Sequence, residues 1–268
     1  MFALRKKKAA QYGSGFDKAL ASLSGKKKSS YLKHFFPQAN LRLGALISSG
    51  KDGLYAAWTM MKQNYAVACF ITLDSENKDS YMFHTPNVSL AVLQAEACDI
   101  PIMVGKTKGE KEQELADLKR IIAEANEKYN LDGIITGALY SNYQRTRIEH
   151  VADSLGLKIF SPLWHIDQEQ EMRQLLSQDF VFCFSSVAAE GLDASWLGRQ
   201  ITSADVDKLV GLNQKVGLNI AGEGGEFESL VLDCPLFEKK IVVSDFEIIQ
   251  DGLAARMVVK DAALEEKK

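Results

Sequence analysis

An α/β fold built on a parallel sheet, followed by a smaller C-terminal α+β unit, is what this sequence predicts. Three observations carry the prediction. From Leu41 onward, short apolar runs alternate with segments of helical spacing, the pattern of a parallel sheet covered by helices on both faces. The first apolar run stops at Ser48-Ser49-Gly50-Lys51-Asp52-Gly53, and an amphipathic segment follows at once. After about Ser177 the alternation weakens into several strand-like runs, one helix and more turn signals.

The elements follow in order. "LRLGALI", "AVACFITL", "IPIMV", "DGIITG" and "VFCFSSV" are short, apolar and rich in strand formers, so each reads as a buried strand. Leu54, Ala57, Trp58 and Met61 share one helical face; Leu115, Leu118, Ile122 and Ala125 share another. Ile148, Val151, Ala152 and Leu155 form a third, with Gly156 where a C-terminal cap belongs. Thr85-Pro86 has the form of an N-cap with proline at the first helical position. Thr202 with Asp205 has the form of a capping box ahead of Val206, Leu209 and Val210.

Composition bounds the possibilities. The 268 residues are 46% hydrophobic, enough to bury the core of one large domain or two small ones. No run approaches the roughly 20 apolar residues that span a bilayer, and "MFALRKKKAA" lacks the apolar segment of a secretory signal, so a cytoplasmic protein is expected. Cys69, Cys98, Cys183 and Cys234 lie far apart without a Cys-x-x-Cys, which argues against zinc, iron–sulfur or redox-pair chemistry. Residues 1–40 carry nine basic side chains and one acid, against 23 basic and 34 acidic residues in the remainder. This basic arm reads either as a solvated tail or as a contact for RNA or a ribosome-associated partner. The expected organisation is therefore the arm at 1–40, a Rossmann-like nucleotide-binding domain at 41–178, and a substrate-recognition domain at 179–268. Oligomeric state is left open.

The turn at 48–53 has the chemistry of an anion cradle. Ligands of a parallel sheet bind beyond the carboxyl ends of its strands, where backbone N–H groups and the next helix's N-terminus favour negative charge. Gly50 and Gly53 allow close backbone approach, Lys51 adds a full charge, and Ser48 and Ser49 add hydroxyl donors. A Walker loop is excluded, because Ala45 stands at its first glycine and Asp52 follows the lysine. Asp52 is suited to orienting Lys51 or to sharing a Mg²⁺ with phosphates.

The loop is similar to the Ser-Gly-Gly-Lys-Asp-Ser pyrophosphate-binding (PP-loop) motif of the N-type ATP pyrophosphatases. It departs at Ser49, which replaces a glycine, and at Gly53, which replaces a serine. "DSYMFHTPN", "GALYSNYQRTRIEHVADSLGLKIFSPLW", "GLDASWLGR" and "GEGGEFESLVLDCPLF" narrow the resemblance. Together these blocks resemble the diphthine–ammonia ligase family in its shorter, archaeal form, over roughly residues 41–245. The resemblance implies ATP-dependent amidation of diphthine on elongation factor 2, with ammonium as nitrogen donor and AMP and pyrophosphate as products. It implies ATP and Mg²⁺ at Ser48, Ser49, Gly50, Lys51, Asp52, Gly53 and Gly137, with Asp52 as the metal ligand.

Such a reaction also needs places for a carboxylate, a quaternary ammonium and NH₄⁺. Gln144, Arg145 and Arg147 open a helix at the ligand edge of the sheet, where an arginine suits a carboxylate or phosphate. Alternatively, Arg145 pairs with Glu149 one turn on. Glu223, Glu226 and Glu228 surround Gly224 and Gly225; if 226–232 is a strand, Glu226 and Glu228 face the same side. Lys51, Asp52, Glu223 and Glu226 are the expected catalytic residues, with a glutamate taking a proton from NH₄⁺. Tyr140, Trp164, Trp196 and Phe227 are candidate aromatic walls for the trimethylammonium group, the tryptophans equally readable as core. His84 is placed at the substrate; His150 reads as structural. Two rival readings are a PP-loop enzyme adenylating another acceptor, such as a tRNA base, and a non-catalytic nucleotide sensor.

Overall fold

The computed structural model describes residues 41–75, 88–109 and 113–267, the side chains of Val88 and Gln144 excepted. The basic arm, His84 and the Thr85-Pro86 helix start lie outside the described residues. The chain runs through β1 (Arg42–Leu46), α1 (Lys51–Lys62), β2 (Ala66–Ser75), α2 (Val88–Ala97) and β3 (Ile102–Thr107). It continues through α3 (Gln113–Tyr129), β4 (Gly133–Ile135), α4 (Asn142–Ser154), β5 (Lys158–Phe160) and α5 (Gln168–Ser177). These five strands pair in parallel in the order β3-β2-β1-β4-β5. The chain moves outward from β1 to β3, then returns to β4 on the other side. The switch point therefore lies between β1 and β4, where such sheets open a crevice for ligands.

Strand alternation divides the sheet's two faces. Cys69, Ile71 and Leu73 of β2 pack with Leu118 and Ile122 of α3 and Ile148 and Val151 of α4. Phe70, between them, joins Leu43 and Ala45 of β1 on the opposite face. There α1 is covered by the sheet on one side and by the C-terminal half on the other, so its buried set is wider than one stripe. Leu54, Tyr55, Ala56, Ala57 and Met60 are buried, while Trp58 and Met61 are only partly covered, which corrects the narrower face expected from spacing. Tyr55 and Trp58 meet Phe180 edge-on, at 5.4 and 6.1 Å between ring centroids.

The C-terminal half contains β6 (Val181–Val187), a 3₁₀ turn at Ala194–Trp196, α6 (Ser203–Val216), β7 (Phe227–Asp233), β8 (Lys239–Asp251) and β9 (Ala254–Glu266). Its sheet is antiparallel, in the order β7-β6-β9-β8. Phe182, Cys183, Phe184 and Val187 of β6 are all buried, which accounts for the unbroken apolar run in the sequence. They belong to the same hydrophobic cluster as Leu43 and Phe70, so the two sheets share one core. Two predicted helix boundaries are present. The Thr202 N–H donates to Asp205 Oδ2 at 3.0 Å within a capping box, and Gly156 has φ +70° just past α4. The three-residue edge strand β5 escaped the sequence reading because it is too short to show a period.

All four cysteines are buried and free, and burial raises each thiol's pKa, so none is poised as a thiolate. Among the described residues, no helix is long and apolar enough to cross a membrane.

Candidate active site

The turn after β1 is shaped by residues far away in sequence. Ser49 has φ +68°, the left-handed region that glycine enters freely and an L-residue enters at about 1–2 kcal/mol. Its carbonyl accepts from the Val231 N–H at 3.1 Å and from Gln94 Nε2 at 2.9 Å, and Gln94 also donates to the Val231 carbonyl at 2.9 Å. The strained residue is thus tied on one side to α2 and on the other to β7. Gly50 is the N-cap of α1 and has no side chain to serve the first N–H groups. Ser229 supplies the missing cap, its Oγ accepting from the Lys51 N–H at 3.1 Å.

Gly53 and Gly137 each allow a backbone approach that a side chain would block. A Cβ on Gly53 would lie 2.6 Å from the Leu46 carbonyl oxygen. A Cβ on Gly137 would lie 2.6 Å from the Asp52 carbonyl carbon and 2.7 Å from the Gly53 nitrogen. The loop after β4 therefore packs backbone on backbone against the first turn of α1. Gly53, a departure from the PP-loop pattern, is here a packing requirement.

Above this junction, at the β1/β4 switch point, lies a cavity of about 350 Å³. One wall is the β1–α1 turn, a second is Thr136, Gly137, Ala138 and Ser141, and the third is the stretch from Ala221 to Ser229. Lys51 lines it yet is 1% exposed. α1 begins at Lys51, and helix geometry turns the side chain inward. Its Nζ lies 2.5 Å from Asp52 Oδ1 and 3.5 Å from both carboxylate oxygens of Glu171, which is wholly buried on α5. Burial works against the ammonium charge, but Asp52 and Glu171 outweigh it and hold the Lys51 pKa above its usual value. Burial pushes the Glu171 carboxyl up, with Lys51 opposing. Glu223 is also raised, by burial first and then by Asp52. It accepts from the Tyr140 N–H at 3.2 Å.

Of the residues expected from sequence, Ser48, Lys51, Asp52, Gly53, Gly137, Glu223, Gly224, Gly225 and Glu228 line the cavity. Ser49 and Gly50 shape the turn beneath it. Phe227 also lines the cavity, and the remaining expected residues are placed elsewhere. Glu226 precedes β7 and turns back, accepting from the Asn219 N–H at 3.1 Å and the Gly224 N–H at 2.8 Å. It therefore holds the 219–225 turn in shape and does not share a side with Glu228. Arg145 pairs with Glu149 at 2.7 Å and lies 4.4 Å over the Trp164 ring; Arg147 lies 3.6 Å over Tyr143. Trp196 and Phe227 are buried and stack on either side of Phe184. Tyr140 stays exposed at the cavity rim beside His165.

Sequence reasoning missed Glu171, Ser229, Gln94, Thr136 and Ser141. Glu171 had a signal: it sits four residues before Leu175, an acid on the inward face of an amphipathic helix. Ser229 and Gln94 had none, because their roles depend on pairing with a turn far away in the chain.

Residues 41–159 match the family model described as diphthamide synthase N-terminal domain, and residues 167–264 match the diphthamide synthase C-terminal domain. The chain is 35% identical over 243 residues to the diphthine–ammonia ligase of Schizosaccharomyces pombe, covering 82% of this chain and 40% of that protein. It is 33% identical over 228 residues to the diphthine–ammonia ligase of Homo sapiens, covering 78% of this chain and 85% of that one. A solved structure described as a predicted subunit of tRNA methyltransferase from Methanocaldococcus jannaschii overlaps 70% of this chain and 95% of its own, with 15% identity and a TM-score of 0.37.

Proposed function

The chain belongs to the diphthamide synthase family, and from that premise we propose that it amidates the diphthine side chain of elongation factor 2, using ATP and ammonium. The observation that carries the reading is the single cavity shared by the cradle of Ser48, Lys51 and the α1 N-terminus and by the acidic wall of Glu223 and Glu228. A carboxylate activated by ATP needs both walls within reach of one reacting centre.

The chemistry follows from the groups present. The cradle holds the outer phosphates, with Lys51 facing the charge that grows on pyrophosphate as it leaves. The diphthine carboxylate attacks the α-phosphorus, the bond to the β-phosphate oxygen breaks, and an acyl-adenylate forms. Ammonia then attacks the acyl carbon and AMP departs, leaving the primary amide. Glu223, whose pKa is raised by burial and then by Asp52, takes the proton that turns NH₄⁺ into the nucleophile. Asp52 is a hard oxygen donor suited to Mg²⁺, which would offset charge on the phosphates. Among the described residues no group of three or more metal-ligating side chains occurs, so the nucleotide itself would supply most of that ion's ligands. One lysine among Asp52, Glu171 and Glu223 leaves no net positive charge for a nucleotide, which favours a metal as companion.

Residues 41–178 serve as the nucleotide-binding unit and 179–268 as the acceptor-recognition unit in this reading. The exposed Tyr140, whose backbone N–H donates to Glu223, suits the trimethylammonium group. We place the protein in the cytoplasm with its substrate; any RNA contact through residues 1–40 and any oligomer are separate questions. The test is direct. The protein is mixed with ATP, Mg²⁺, ammonium and diphthine-bearing elongation factor 2, and the factor is weighed by mass spectrometry. Conversion of the acid to the amide, with AMP and pyrophosphate released, is the expected result; ADP as product removes α/β cleavage from the account.

A further inference from the structure

We infer that Glu171 is a positioning residue that holds the Lys51 ammonium toward the phosphates from behind, an inference that rests on reading the β1–α1 turn as the nucleotide cradle. Glu171 does not line the cavity, and its side chain is 0% exposed, but both its carboxylate oxygens lie 3.5 Å from Lys51 Nζ. Asp52, the other carboxylate on Lys51, lies at the cavity surface with about a third of its side chain exposed. The ammonium therefore sits between an acid at the cavity and an acid behind it. With three donors, it has one for Asp52, one for Glu171 and one for a phosphate.

Stability alone is a weak reason for such an arrangement. Burying an acid is costly, and a well-packed apolar residue in place of a buried ion pair is often neutral or better. The surroundings instead fix Glu171 with respect to both cavity walls. Helix α5 is capped by Asp167, which accepts from the Gln170 N–H at 2.9 Å. Tyr55 of α1 donates to Gln174 Oε1 at 3.0 Å, tying α5 to the cradle helix. Gln168 Oε1 accepts from the Ile220 N–H at 2.9 Å, tying α5 to the stretch that leads into the acidic wall. Arg173 pairs with Asp207 of α6 at 2.7 Å. Glu171 is thus the carboxylate on an element braced against both sides of the site. Without its charge, Lys51 is left to Asp52 alone and is drawn toward the cavity surface, off the line of the leaving pyrophosphate.

The test compares wild type, Glu171→Gln and Glu171→Asp in AMP-forming turnover, with KM for ATP and thermal melting measured on each. Glu171→Gln keeps volume and an acceptor oxygen but removes the charge. The expected result is a fall in kcat of about tenfold or more, with KM for ATP within about threefold of wild type and melting within a few degrees. Glu171→Asp recovers part of the lost kcat. Unchanged kcat in Glu171→Gln overturns the inference, as does a loss that tracks melting and is not relieved by aspartate. Those outcomes presuppose a wild type that releases AMP; a wild type that releases none overturns the cradle reading first, and the role of Glu171 with it.

Discussion

The two long walls of the cavity are built on opposite principles. The β1–α1 wall is a continuous stretch whose key cation is buried against Glu171 of α5 and whose backbone is tied to α2 and β7. The Ala221–Ser229 wall is a glycine-rich turn held largely from within, Glu226 accepting from both Asn219 and Gly224. Its acids Glu223 and Glu228 are partly open to solvent. The difference teaches where each kind of change will be felt. Loss of the buried Lys51 side chain from the first wall disturbs chemistry and folding together, because the same bonds serve both. Alterations to the second disturb the acceptor or ammonia step and leave the fold largely alone.

The largest effect is expected at Lys51. Lys51→Ala should lower AMP-forming turnover at least about a hundredfold, the scale seen when a charge-stabilising group is removed from a transition state. It should also lower the melting temperature, since breaking a buried ion pair from one side costs about 3–5 kcal/mol, less to the extent that Glu171 takes up a proton. Calorimetry and AMP release measured together check this. A variant with normal melting and normal turnover would show that the first wall is not built as described.

Glu223→Gln comes next and should separate the walls. Amide formation is expected to fall about a hundredfold, while pyrophosphate exchange into ATP, which reports the adenylation step alone, changes little. It carries a pH signature as well. The Glu223 pKa is raised by burial, so the folded state binds this proton more tightly than the unfolded state. Its contribution is therefore present below the ordinary glutamate pKa and is lost as pH rises through the raised value. Melting of wild type should fall relative to Glu223→Gln over that interval and run parallel above it. Parallel curves throughout would remove the burial argument for Glu223.

Smaller effects belong to the scaffold of the first wall. Ser229→Ala removes the cap on the Lys51 N–H and should cost about 1 kcal/mol, read as a lower denaturant midpoint. The smallest belongs to Ser49→Gly. It relieves about 1 kcal/mol of left-handed strain but gives back roughly 0.5–1 kcal/mol through the freer unfolded chain. Stability and activity should both be nearly unchanged; a large loss of activity would mean that the Ser49 hydroxyl, and not the backbone beneath it, serves the site.

Much of this protein was legible in its sequence for local reasons. Apolar runs and helical spacing are short-range signals, so four of the five parallel strands, α1, α3, α4 and the turn at 48–53 could be read directly. The glycines at 50 and 53 announced close backbone approach. What the sequence could not decide was which side chains the fold would spend elsewhere. Arg145, Arg147 and Glu226 have the same chemistry as binding residues, but stacking on Trp164 and Tyr143 and bonding within the 219–225 turn engage them locally. Conversely, Glu171 and Ser229 stand 120 and 178 positions from the lysine they hold. Pattern along a chain fixes secondary structure because its forces act over a few residues. Partnership across a cavity depends on where the two sheets meet, and that is set by the packing of one shared core.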